Sequence, residues 1–281
     1  MVLKEKLKKY LSLRNILLGF FVVILVIVGF EIQDKVHKSG NFRTMQDPLS
    51  AEEKVNLTGL RELPFAGGPA PIFSKVIEKL PSNKTLFVVD GLVNKVGYIN
   101  GVPACSLGYG RFPLFGDMLW RLFYTQTLFA HPELTTSEEA EAKKFNIKYT
   151  PLRIVSKGSS SDDTIDTFVA FIDNLPKDAY VYFHCENGKG RTSMMLVMAD
   201  ILKNAPQVSL KDIIERQHLL GSVDMFDTIP WRKGTYGKAM LQNRKRYIEK
   251  FYEFVCQRKA GGLTRWSDWR KQDGFKDIGG L

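Results

Sequence analysis

The sequence predicts an α/β domain with a central, mostly parallel sheet flanked by helices, preceded by one transmembrane helix. Three observations support this prediction: strand-like and helix-like runs alternate, the chain is 44% hydrophobic and 25% charged, and an uncharged apolar segment follows a basic N-terminus. Strands that alternate with helices usually form parallel sheets. With 281 residues, the chain is long enough for one sizeable core with short appendages.

Strands are predicted where apolar, β-branched and aromatic residues run together over a few positions. These runs are "TLFVVD" (85–90), "IKYTPLRIV" (147–155) and "AYVYFH" (179–184). The stretch 39–71 is rich in glycine, proline and turn residues, and it is predicted to be irregular.

Helices are predicted from apolar residues at helical spacing. The run "SDDTIDTFVAFIDNL" (161–175) begins with a capping serine, Ser161, and places Ile165 and Phe168 on one face. Similar runs occupy 135–145, 191–204, 209–220 and 243–255. One globular domain is therefore predicted over 40–260, followed by a flexible tail over 261–281 in which Trp266 and Trp269 are available for docking.

The N-terminal segment predicts a signal anchor. A basic arm (1–14) precedes "NILLGFFVVILVIVGF", and the transmembrane helix is predicted over 15–32. More basic residues precede this helix than follow it, which favours a cytoplasmic N-terminus and a domain outside the cytoplasm. A cleaved signal peptide is the alternative, although no small-residue cleavage site follows the apolar run.

The net charge of +10 favours polyanionic partners such as phosphate esters, nucleic acids or an anionic membrane face. No nucleic-acid-binding motif accompanies the charge, so the sequence predicts a phosphorylated ligand and no nucleic acid.

The segment "YFHCENGKGRTS" (182–193) places Cys185 after a strand and Arg191 at the start of a helix. A loop of this length can wrap its backbone N–H groups around a phosphate, and the helix N-terminus adds a positive dipole. This is the layout of a cysteine-dependent phosphatase, with Cys185 as the thiolate nucleophile. Arg191 is predicted to bind two phosphoryl oxygens, and the Thr192 hydroxyl to stabilise the leaving sulfur. The predicted substrate-binding residues of the loop are Glu186, Asn187, Gly188, Lys189 and Gly190.

Around this loop the chain resembles the bacterial protein-tyrosine-phosphatase-like phytases. The similarity includes "NFRT" (41–44), "HPELTTSEEAEAKKFNIKY" (131–149), "LPKDAYVYFHCENGKGRTS" (175–193) and "MADILKNAPQVSLKDIIERQ" (198–217). It implies the cysteine-phosphatase fold, no metal or other cofactor, and stepwise removal of phosphates from inositol polyphosphates. It also implies a location such as the bacterial periplasm, and it places Arg43 at the rim of the substrate pocket.

Two departures from the family pattern concern catalysis. The family carries an Asp-His pair on the loop after the second strand, and the Asp is its general acid; Ser156 and Lys157 stand at these positions here. Serine cannot donate a proton near neutral pH, so the activity is expected to be weakened unless Asp162 or Asp163 substitutes. The second departure is "GLVNKVG" (91–97), which replaces a charged run of the family.

The sequence therefore predicts a membrane-anchored phosphatase that hydrolyses inositol polyphosphates through a phosphocysteine intermediate. Three alternatives remain open. They are a tyrosine or dual-specificity phosphatase, a phosphoinositide lipid phosphatase, and a pseudophosphatase that binds phosphorylated ligands without turnover.

Overall fold

The computed structural model describes residues 13–37, 41–49, 55–92, 97–107, 118–119, 121–122, 125–127, 135–155, 160–230 and 237–275. The strands of this part are β1 (Arg43–Thr44), β2 (Phe65–Pro69), β3 (Thr85–Asp90), β4 (Gly97–Ile99), β5 (Val102–Pro103), β6 (Thr135–Ser137), β7 (Lys148–Pro151) and β8 (Ala179–Cys185). The helices are α1 (Leu13–His37), α2 (Phe73–Ile77), α3 (Glu138–Lys144), α4 (Asp162–Asp173), α5 (Gly190–Asn204), α6 (Leu210–Leu219), α7 (Lys238–Lys259) and α8 (Trp266–Asp273), with a 3-10 turn at Ala104–Leu107.

The larger sheet has five strands in the order β1-β2-β8-β3-β7. Strands β2, β8, β3 and β7 are parallel, and only β1 is antiparallel to its neighbour. Every residue of the central strand β8 is buried, which explains its continuous apolar run. The mostly parallel sheet is confirmed, and the carboxyl ends of its parallel strands meet at one edge, where ligands bind in open α/β sheets.

Strand β2 lies inside the stretch predicted to be irregular, and that prediction is wrong for Phe65–Pro69. Its glycines serve close packing. A Cβ atom on Gly67 would lie 2.7 Å from side-chain atoms of Leu196 and Thr192, and one on Gly68 would lie 2.2 Å from the Tyr182 hydroxyl. Larger residues at these positions would push α5 and β8 away from the strand.

Helix α5 lies at the centre of the hydrophobic core. It packs against β2 and β8 on one side and against α6 and α7 on the other. Its buried residues occupy all sides of the helix, which explains why its apolar residues form no single stripe. The loop that precedes α5 is therefore fixed at both ends, by the central strand and by the central helix.

Residues 266–275, which the sequence predicts to be part of a flexible tail, are instead folded against the domain. Trp266 is 0% exposed and Trp269 is 4% exposed, and both belong to the main core. Trp266 packs against Tyr247 and Phe254 with ring centroids 5.5 and 5.6 Å away. The aromatic side chains of this short segment pack α8 against α4 and α7.

The predicted transmembrane helix is not supported. A helix is present at Leu13–His37, but no helix in the described part of the chain has the length and apolar content needed to cross a membrane. The predicted location outside the cytoplasm stays a prediction.

Candidate active site

The nucleophile candidate lies at the carboxyl end of the central strand. Cys185 is the last residue of β8 and is 4% exposed. The cradle loop comprises residues 185–191, and its last two residues are already the first two of α5, which begins at Gly190. The structure thus brings the predicted Cys185, Arg191 and Thr192 together at the sheet edge.

Gly188 gives the cradle loop its curvature. Its φ of +67° is in the left-handed region, and a Cβ atom here would lie 2.4 Å from the backbone carbon of Gly68 and 2.6 Å from the nitrogen of Pro69. Both the backbone conformation and the close approach to β2 therefore require glycine. Asn187 forms an isolated bridge with Pro69, and its carbonyl accepts a hydrogen bond from the Asn41 amide at 2.7 Å.

The surroundings of Cys185 favour its thiolate. Burial would raise the pKa of Cys185, but hydrogen bonds from the hydroxyl and backbone N–H of Thr192, the charge of Arg191 and the backbone N–H of Asn187 lower it below the ordinary value. A thiolate at the base of a loop of N–H donors is the reactive form for attack on phosphorus.

The Thr192 hydroxyl can donate its one proton to either of two acceptors. Its oxygen lies 3.2 Å from the Cys185 sulfur and 3.2 Å from the carbonyl oxygen of Gly68. When Cys185 is a thiolate, the charged sulfur is the stronger acceptor. Thr192 thus stabilises the sulfur both before attack and when it leaves phosphorus.

Replacing Thr192 by valine is expected to raise the pKa of Cys185, because the shape of the side chain is kept and the hydrogen-bond donor is lost. The pH dependence of Cys185 alkylation by iodoacetamide measures this shift. Thr192→Ser keeps the hydroxyl and is the matched control. If the Thr192→Val profile matches the wild-type profile, the backbone donors alone stabilise the thiolate.

Arg191 is partly exposed, and its guanidinium makes one marginal contact with the described residues. Its Nη1 atom lies 3.5 Å from the carbonyl oxygen of Gly91, at the limit for a hydrogen bond. A guanidinium held this loosely can exchange that contact for two phosphoryl oxygens.

The predicted place of Arg43 at the pocket rim is wrong, because Arg43 is 2% exposed and lies behind the loop. It donates to the carbonyl oxygens of Gly188 and Asn41 at 2.9 and 2.7 Å. It also donates to the hydroxyls of Ser193 and Ser222 at 2.9 and 3.0 Å. Arg43 therefore holds the loop in place instead of contacting substrate.

The remaining predicted loop contacts keep their positions at the site. Glu186, Asn187 and Lys189 have exposed side chains, and Gly190 is the first residue of α5. The three exposed side chains can reach a ligand, while the backbone N–H of Asn187 acts on the Cys185 sulfur.

The two aspartates predicted as replacement acids have different surroundings. Asp162 accepts hydrogen bonds from Trp266 Nε1 at 3.0 Å and from Arg270 Nη1 at 2.9 Å, so its carboxylate holds α8 to α4. Asp163 is exposed and lines a cavity of about 380 Å³ together with Asp90 and Leu92. Ser156, Lys157 and residues 93–96 of the "GLVNKVG" run lie outside the described residues.

A buried acidic pair contacts the histidine before the nucleophile. One carboxylate oxygen each of Asp90 and Glu138 and one ring nitrogen of His184, the atoms that could bind a metal ion, all lie within 4.8 Å of one another. His184 Nε2 is 2.6 Å from Glu138 Oε1, whereas two ligands of one zinc ion lie roughly 3.3 Å apart. The direct contact leaves no space for an ion between these two atoms, so the arrangement is a close pair of histidine and carboxylate.

Sequence reasoning missed Glu138, Ser193 and Ser222. A glutamate in the first turn of a helix usually indicates a solvated side chain that favours the helix dipole. No local pattern links Ser193 or Ser222 with Arg43, because only the fold brings them together.

Comparisons with known proteins agree with this geometry. The family model of the protein-tyrosine-phosphatase-like phytases, described as "Inositol hexakisphosphate", matches residues 124–203. An uncharacterized protein, AvrBs1.1 of Xanthomonas campestris pv. campestris, is 36% identical over 96 residues, which are 34% of this chain and 91% of that protein.

Solved structures extend the similarity over most of the chain. The tandemly repeated protein tyrosine phosphatase like phytase of Mitsuokella multacida is 25% identical with a TM-score of 0.67, covering 86% of this chain and 46% of that chain. A second Mitsuokella structure, of a PTP-like myo-inositol phosphatase with myo-inositol-(1,3,4,5)-tetrakisphosphate bound, matches equally well.

The PTP-like phytase of Bdellovibrio bacteriovorus is 22% identical with a TM-score of 0.58, covering 82% of this chain and 88% of that chain, and it shows the shared fold. This chain thus spans less than half of the tandem Mitsuokella protein. The cradle loop, its position at the sheet edge and these matches lead to one conclusion: the chain belongs to the protein-tyrosine-phosphatase-like phytase family.

Proposed function

We propose that the chain is a cysteine-dependent phosphatase that removes phosphate from inositol polyphosphates. The observation that carries the proposal is the environment of Cys185, whose sulfur lies 3.2 Å from the Thr192 hydroxyl and whose pKa is lowered. The inositol tetrakisphosphate bound to the similar Mitsuokella phosphatase supports the substrate class.

The reaction proceeds in two displacements. The Cys185 thiolate attacks phosphorus, an S–P bond forms, and the bond between phosphorus and the inositol oxygen breaks. The leaving oxygen takes a proton. Water then attacks the phosphocysteine, the S–P bond breaks, and phosphate leaves as the thiolate is restored with help from Thr192. Arg191 binds the phosphoryl oxygens during both displacements.

For the proton donor of the first displacement we propose Asp163. Its cavity wall also contains Asp90 and Leu92, the residues on either side of Gly91. The carbonyl of Gly91 is the contact of Arg191, so the cavity adjoins the phosphate-binding side of the site. Asp162 is engaged by Trp266 and Arg270 and is unsuited to this role.

Asp163→Asn is expected to lower phosphate release from an inositol phosphate about 10²-fold, since general acid catalysis contributes at least that much. Release from p-nitrophenyl phosphate should change little, because its leaving group needs no proton. Asp162→Asn is the matched control: it should lower thermal stability and leave the ratio of the two activities unchanged. Equal losses on both substrates for Asp163→Asn would exclude the proposed role.

The function itself is tested by phosphate release from phytate, p-nitrophenyl phosphate and an inositol lipid, with the full chain and its Cys185→Ser variant. Cys185-dependent release from phytate supports the proposal. Release from the aryl phosphate alone would favour a tyrosine or dual-specificity phosphatase, and release from the lipid alone would favour a lipid phosphatase. Binding without release from any of the three would overturn the enzymatic proposal.

A further inference from the structure

The cradle loop and the cavity beside it differ in their chemistry. The loop offers hydrogen-bond donors and positive charge to a ligand, through its backbone N–H groups and the guanidinium of Arg191. The adjoining cavity of about 380 Å³ is instead lined by three carboxylates, those of Asp90, Glu139 and Asp163. Its volume lies within the range of roughly 300–1,000 Å³ that is usual for small-molecule sites.

The three carboxylates reach the cavity from different elements. Asp90 ends β3, Glu139 lies in the first turn of α3, and Asp163 lies in the first turn of α4. Arg153 is the one cationic side chain among the described residues that line the cavity. Three acidic groups therefore face one basic group here, although the whole chain has a net charge of +10.

Hydroxyl groups supply the rest of the polar lining. Thr164 and Thr167 lie one turn apart on α4, and Tyr149 belongs to β7. The Thr167 hydroxyl donates its proton to the carbonyl oxygen of Asp163 at 2.7 Å, and the Tyr149 hydroxyl donates to Asp90 at 3.1 Å. Both hydroxyl oxygens can still accept a hydrogen bond, so the cavity offers acceptors where the cradle loop offers donors.

A phosphate group and a ring hydroxyl respond oppositely to this lining. Carboxylates repel a phosphate through its negative charge. A ring hydroxyl, in contrast, donates its proton to a carboxylate, and hydrogen bonds to charged acceptors are stronger than those between neutral groups. The proposed proton donor Asp163 lies in the cavity wall, so the alcohol part of the substrate, which carries the leaving oxygen, enters this cavity.

We propose that the cavity is a hydroxyl-selective subsite. It holds the part of the inositol ring next to the scissile phosphate, and it favours inositol phosphates with free hydroxyl groups there over fully phosphorylated phytate. The inference rests on the proposed function and specifies its substrate class. Glu139 is the specificity-determining residue best suited to a test, because its side chain is exposed and its charge acts on Tyr149, another residue of the lining.

The test compares two ligands by isothermal titration calorimetry with the full chain carrying Cys185→Ser, so that no turnover is needed. The ligands are phytate and myo-inositol-(1,3,4,5)-tetrakisphosphate, which has free hydroxyls at the two remaining ring positions. Adding Glu139→Lys is expected to tighten phytate binding about tenfold, because attraction replaces repulsion, and to change tetrakisphosphate binding much less. Thr167→Glu adds a carboxylate to the same wall and should weaken phytate binding about threefold.

Glu249→Lys is the matched control, because it makes the same change of charge at an exposed position of α7 outside this cavity. It should leave the ratio of the two dissociation constants unchanged. An equal change of that ratio in Glu249→Lys, or equal tightening of both ligands in Glu139→Lys, would overturn the proposal, since both results indicate a general attraction of anions. Failure of the proposed function would be recognised separately, as absence of phosphate release from the chain with Cys185 intact.

Discussion

Replacing Arg191 by lysine is expected to lower kcat for phosphate release about 10³-fold, the lower end of what a transition-state arginine contributes in phosphoryl transfer. The guanidinium presents two parallel N–H donors to a phosphoryl group, and an ammonium cannot reproduce that geometry. Arg191 is also one of the groups that lower the pKa of Cys185. A lysine keeps the positive charge, so the loss in kcat measures what the two parallel N–H donors of the planar guanidinium contribute.

The measurement is steady-state release from phytate with phosphate binding followed in parallel. We expect the dissociation constant for inorganic phosphate to change much less than kcat, because the backbone of the cradle loop is intact. Arg265→Lys, at an exposed arginine paired with Asp166, is the matched control and should leave kcat unchanged. A loss of less than tenfold in Arg191→Lys would mean that another cation binds the transferred phosphoryl group.

Replacing Trp266 by alanine is expected to destabilise the domain by about 3–5 kcal/mol, the usual cost of truncating a buried aromatic residue. Trp266 is 0% exposed and stacks on Trp269 with centroids 5.4 Å apart. Its indole N–H also satisfies Asp162. The substitution therefore removes both core contacts and the hydrogen bond that joins α8 to α4.

Urea unfolding monitored by circular dichroism measures this loss as a lower midpoint at an unchanged slope. Leu263→Ala is a control in the same segment, because Leu263 is 39% exposed and should cost about 0.5 kcal/mol or less. If both substitutions had the same small effect, residues 261–275 would be dispensable for stability, as the sequence alone predicts.

The sequence predicted the features that rest on local patterns. Strands β3 and β8 coincide with apolar runs, and the spacing of Cys185 and Arg191 located the cradle loop. Such patterns are visible because each residue's role depends on its neighbours in the chain.

The features that were missed depend on contacts between distant segments. Strand β2 contains glycines where β-branched residues are usual, because α5 and Tyr182 approach its backbone closely. Glu138 and His184 are far apart in sequence, and only the packing of the smaller sheet against the larger one makes them partners. The burial of Arg43 likewise depends on Ser193 and Ser222, which no local pattern connects with it.

The burial of Arg43 makes the cradle loop dependent on the charge of its own nucleophile. All its hydrogen bonds described above go to uncharged oxygen atoms. Burial lowers the pKa of Arg43 to about 10, and the Cys185 thiolate opposes this effect through its charge.

Folding lowers the pKa of Cys185, so the stabilisation from the thiolate is complete above the ordinary pKa of the thiol and is lost as the pH falls through the folded-state pKa. Alkylation of Cys185 with an uncharged group, or acidification, therefore removes the negative charge that balances the buried Arg43. It also removes the reactive thiolate. An inorganic oxyanion bound in the loop can replace that negative charge. Proteases should therefore cut the alkylated protein near residues 185–191 faster than the untreated protein. Added phosphate should slow the cutting of acidified, unalkylated protein, whose loop is still open to the anion.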